Sequence, residues 1–68
     1  MDTITKLTFL DQVSAYDVEV SIGAGDGHVA VDIAVQGHPA VQLAVPVDEC
    51  EILVDALRRA AERMRGGH

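Results

Sequence analysis

Apolar and polar residues alternate along most of the first two-thirds of this chain, and then the period changes. In "YDVEVSI", Tyr16, Val18, Val20 and Ile22 fall on one side, and Asp17, Glu19 and Ser21 on the other. "HVAVDIAV" repeats the pattern, with Val29, Val31, Ile33 and Val35 against His28, Ala30, Asp32 and Ala34. "AVQLAV" sets Val41, Leu43 and Val45 against Ala40, Gln42 and Ala44. Period two in three successive runs predicts three β-strands, and the short connections between them predict an antiparallel meander over residues 16–46.

From residue 48 the apolar positions adopt a helical period. At 100° per residue, Cys50, Leu53, Val54, Ala56, Leu57, Ala60, Ala61 and Met64 fill one continuous arc, which predicts an amphipathic helix over 48–65 packed across the sheet. Asp48 reads as the N-cap, with Glu51 completing a capping box and Val47 and Ile52 a hydrophobic staple. Gly66 reads as the left-handed residue that ends the helix. Asp55 with Arg59 and Arg58 with Glu62 stand at i,i+4 spacing.

Residues 1–15 have two readings. "TITKLTF" suits a strand with Leu7 and Phe9 facing inward, while "TFLDQVSAY" suits a short helix opened by Thr8 and Asp11. The fold class is therefore α+β: a three- or four-stranded antiparallel meander with one C-terminal amphipathic helix on one face, in a single domain spanning 1–68.

The glycine-rich stretch "IGAGDGHV", residues 22–29, raises the question of a phosphate or metal loop. A phosphate cradle needs a helix N-terminus behind its amides, whereas a strand comes next here, and Asp26 adds the wrong charge. The stretch reads as a hairpin turn in which Gly23, Gly25 and Gly27 supply positive φ. His28 and His38 lie at opposite ends of one strand and cannot share an ion within the chain. His28 and Cys50, with Asp26 and Glu49 near, are the remaining place for a small metal or Cys/His enzyme site, but no pair has a recognised ligand spacing. No serine has a base and an oxyanion arrangement beside it. The reading is a non-enzyme without cofactor or metal.

Composition turns attention to surfaces. The 68 residues are 49% hydrophobic but carry one Phe, one Tyr and no Trp, so the core is built of small aliphatic groups. A chain this short buries little by itself, which predicts a homodimer or higher homo-oligomer. The net charge is −6. Residues 1–57 hold ten acids and Lys6 alone among the bases, while Arg58, Arg59, Arg63 and Arg65 against Glu62 make the end basic. An acidic body repels phosphate backbones, so direct nucleic-acid binding is disfavoured and a basic or nucleic-acid-binding protein is the better partner. Asp17, Glu19 and Asp32, with Asp26 at the hairpin, form the candidate contact face, and Arg58, Arg59 and Arg63 a second, basic contact. One cysteine, no signal-peptide pattern and no long apolar run suggest a cytoplasmic protein that does not enter the membrane.

Two stretches of the chain carry resemblances. With a helix over 8–15 the order α-β-β-β-α, "GDGH" in the first hairpin and "ALRRAA" in the last helix resemble the double-stranded-RNA-binding domain. That family binds phosphates with a lysine cluster, and the matching positions here are Asp48, Glu49, Cys50 and Glu51, so RNA binding does not carry over. The closing "VPVDECEILVDALRRAAERM" is similar to the C-terminal helix of small uncharacterised acidic proteins from high-GC bacteria and their phages. That likeness admits an anti-CRISPR-like inhibitor that mimics nucleic-acid charge as the alternative to a protein-binding module.

Overall fold

The computed structural model describes residues 2–66. Four strands succeed one another, β1 (Asp2–Leu10), β2 (Asp17–Ala24), β3 (His28–Val35) and β4 (Val41–Pro46), and a helix, α1 (Val47–Arg65), closes the chain. Each strand pairs antiparallel with the next, in the spatial order β1-β2-β3-β4. The fold is α+β, a four-stranded antiparallel sheet with one C-terminal helix.

The register places every alternating apolar set on the same side. Phe9 and Leu7 lie opposite Val18 and Val20. Val18, Val20 and Ile22 lie opposite Val35, Ile33 and Val31, and Val31 and Val29 oppose Leu43 and Val45. A one-residue slip would send each of these to the other face, so the pattern specifies the pairing. The pairing of β1 shifts between Thr3 and Thr5, leaving Ile4 as a bulged, exposed residue.

β1 extends through Thr8–Leu10, and a tight turn connects it to β2. Asp11 organises that turn. Its Oδ2 accepts from both the backbone N–H and the hydroxyl of Ser14, each at 2.7 Å, and its carbonyl accepts from Ala15 N–H at 2.9 Å. The Ser14 hydroxyl, which contributes most, and the Ser14 backbone N–H hold the Asp11 carboxyl below the ordinary aspartate range. Ala15 then takes a positive φ of 64° to re-enter the sheet. The α-β-β-β-α order, which required a helix over 8–15, is not the order of these elements.

In the glycine hairpin Gly27 alone has positive φ, at 74°. Gly23 lies in β2 opposite Ala30, and Gly25 leaves room for the His28 ring, which occupies the space a Cβ would need. The second left-handed glycine is Gly37, at 79°, in the turn between β3 and β4. That turn is closed by the His38 N–H on the Val35 carbonyl at 2.9 Å.

The helix ends differ from the capping read in the sequence. α1 begins at Val47, straight after β4, and Pro46 at its N-cap has φ −58° and ψ 147° with no side-chain cap. With no connecting residue before it, Asp48 is already inside the first turn. There its charge favours the helix N-terminus without accepting a capping bond. Gly66 keeps a right-handed conformation, φ −60°, and its N–H bonds the Glu62 carbonyl at 2.8 Å.

α1 packs against the sheet at β4 and β3. The contact lies at its start: Cys50 is its only half-buried residue, its thiol directed at the Val45 carbonyl 3.8 Å away. From Glu51 onwards every described residue of the helix is exposed. Val18 is the one buried hydrophobic residue among those described. The aliphatic face of the sheet is half-covered by its own neighbours, and among the described residues the apolar arc of α1 is exposed from Leu53 onwards.

Candidate functional site

The sheet has two unlike sides. Opposite the aliphatic face, the other side carries Lys6 and Thr8 from β1, Asp17, Glu19 and Ser21 from β2, His28, Ala30, Asp32 and Ala34 from β3, and Gln42 and Ala44 from β4. Strand alternation and register bring Asp17, Glu19 and Asp32 onto this one face. Asp32 stands opposite Ser21 and so lies diagonal to Glu19, about 7–8 Å away by the ordinary spacing of such pairs.

Lys6 changes the electrostatics of this face. Its Nζ lies 3.3 Å from Glu19 Oε1, with both side chains well exposed. Exposed pairs of this kind contribute little to stability, but this one cancels one of the three carboxylates. The sequence shows Lys6 on the polar side of β1, yet only the register places it beside Glu19.

The middle of the face is shallow. His28, Ala30, Asp32, Gln42, Leu43 and Ala44 line an open depression, floored by small side chains and open to water. Asp26 stands apart from it, exposed at the tip of the hairpin. Arg58, Arg59 and Arg63 lie on α1, and all three are exposed. Arg59 bonds Asp55 at 2.6 Å, and together with Ala56, Ala60 and Arg63 it borders a second shallow depression along the helix. Arg58 and Glu62 form no ion pair among the described residues.

His28 and Cys50 do not assemble a ligand set. His28 Nδ1 lies 3.0 Å from the Asp26 carbonyl oxygen, which can only accept, so that nitrogen carries the proton. Cys50 is a free thiol. Among the described residues no three His, Cys, Asp or Glu side chains gather as a metal site would require. At the far end of the sheet, Tyr16 and His38 set their rings 5.7 Å apart at 48°, joining the start of β2 to the β3–β4 turn.

No family model, curated protein or solved structure matches the chain. Among the described residues no helix is long and apolar enough to cross a membrane.

Proposed function

We propose that this protein is a non-catalytic protein-binding module that works as a homodimer and presents the acidic sheet face to a basic protein partner. One observation carries the reading: the two sides of a single sheet are sorted by chemistry. One side is aliphatic and only half-covered. The other is flat, acidic and floored by alanine, without an enclosed cavity in which to exclude water from a reaction. The first suits a permanent contact between identical chains, the second a polar contact with another protein.

Asp17 and Asp32 are the principal contact groups, with Asp26 reaching beyond them at the hairpin and Glu19 moderated by Lys6. A charge mimic of nucleic acid is served less well by this face. Lys6 neutralises Glu19, and alanines separate the other carboxylates. The basic stripe of Arg58, Arg59 and Arg63 offers a second, weaker contact for an acidic group.

The test is a pull-down with three forms of the tagged protein: wild type, Asp17→Lys with Asp32→Lys, and Glu49→Lys with Glu51→Lys. The partner should be retained by the wild type and by the helix-start variant and lost by the face variant. Equal capture by all three overturns the assignment of the face. Competition by duplex DNA for the captured protein would favour the nucleic-acid mimic instead.

A further inference from the structure

We propose that two copies of this chain exchange helices: α1 of each seats on the aliphatic sheet face of the other, around a two-fold axis. This rests on the homodimer proposed above and gives it a geometry.

The surface area calls for such a partner. The chain exposes 5566 Å², whereas a compact monomer of its 7.2 kDa exposes about 4,100 Å². The excess, roughly 1,400 Å² per chain by that scaling, amounts to about 2,900 Å² over two copies and falls within the range of obligate homodimers. The radius of gyration points the same way: it is 13.6 Å, against about 11 Å expected for one compact chain of this length, so the chain is more open than a self-contained fold.

Much of the exposed apolar surface lies on two faces of similar length. One is the sheet face, where Leu7, Phe9 and Leu43 remain between 42% and 47% exposed. The other is the helix arc, where Leu53 and Val54 are 52%, Leu57 69% and Met64 79% exposed. α1 has 19 residues, about 28 Å of helix, and the eight-residue strands β2 and β3 run about 26 Å.

The junction explains why the two surfaces do not meet within one chain. β4 ends at Pro46 and α1 begins at Val47. Strand-to-helix connections ordinarily use about 2–6 residues, and here there are none to carry the helix back over its own sheet. A second copy supplies the same helix without that constraint. The exchange turns the aliphatic face and the helix arc inward and leaves the acidic face and Arg58, Arg59 and Arg63 in water.

The experiment joins light scattering to site-directed cross-linking in full-length chains carrying Cys50→Ser. One chain bears Leu57→Cys, the other a size tag and Val31→Cys. They are mixed, refolded and treated with a short bismaleimide, with circular dichroism confirming native secondary structure in each. The expected result is a dimeric mass and a cross-linked mixed pair as the principal product. Leu43→Cys replaces Val31→Cys should the latter fail to fold. A dimer in which cross-links join only Leu57→Cys to itself, or only the sheet positions to each other, overturns the exchange and leaves the homodimer standing. A monomeric mass overturns both.

Discussion

β2 and α1 are both rich in aliphatic residues, and the structure treats them in opposite ways. β2 lies between two strands, its ladder satisfied on both sides, and Val18 within it is 8% exposed. α1 satisfies its backbone alone, and Leu57 within it is 69% exposed. Hydrogen bonding and side-chain burial are separate requirements. A helix meets the first without a neighbour, but neither element fully meets the second inside one chain. The sheet obtains its cover laterally, strand against strand. The helix needs a surface, and after the direct β4–α1 junction its residues from Glu51 onwards remain exposed.

The sharpest way to break this contrast is a charge on the apolar surface through which the proposed dimer would form. Val31→Asp should abolish both the dimer and the folded state, because a carboxylate there must be buried without a partner or expel the helix. Loss of the native circular dichroism spectrum and of the dimeric mass at neutral pH checks it. Leu57→Asp strikes the helix side of the same contact. On the proposed exchange it should give the monomeric mass at concentrations where the wild type gives the dimeric one. A related sign is a melting temperature that rises with protein concentration, as it must when folding and association are linked.

Substitutions in the turns of the sheet should cost less and leave association intact. Gly37→Ala forces a Cβ into a left-handed conformation and should destabilise by about 1–2 kcal/mol. Gly25→Ala should cost less, because the obstructing group is the movable His28 ring. Thermal melts of the two variants at equal concentration compare them.

Asp11→Ala removes the acceptor that shapes the β1–β2 turn and should lower the melting temperature at neutral pH. The effect has a defined pH dependence. Asp11 has a lowered folded-state pKa, so its contribution is complete above the ordinary aspartate value of about 3.9 and disappears as pH falls through the lowered one. Melts of wild type and variant should therefore converge in acid. The smallest effect belongs to Arg59→Ala. It breaks an exposed i,i+4 pair with Asp55 and should change stability by about 0.3–0.5 kcal/mol or less, as a denaturant melt would show.

Much of the sheet is legible in the residues. Strict alternation over 16–45 specifies which side chains share a face, and with it that Asp17, Glu19 and Asp32 stand together. Pattern alone does not separate the two readings of residues 1–15, because "TFLDQVSAY" combines strand-forming residues with a helix-opening Thr8 and Asp11. Pairing decides it: β1 forms a ladder along β2, broken once at Ile4, and Asp11 shapes a single turn. The caps of α1 escape the pattern for a related reason. Asp48 and Gly66 are good capping residues, but the helix starts directly from a strand and continues in right-handed geometry to Gly66.

The sequence by itself determined the periods, and so the faces: local geometry makes side chains recur every second residue in a strand and every 3.6 in a helix, regardless of their neighbours in space. Only the tertiary structure decided what those faces meet. Register set Lys6 against Glu19, and after a junction without a loop the arc of α1 from Leu53 on stayed exposed. Such facts depend on where separate segments lie in space, which no local period encodes.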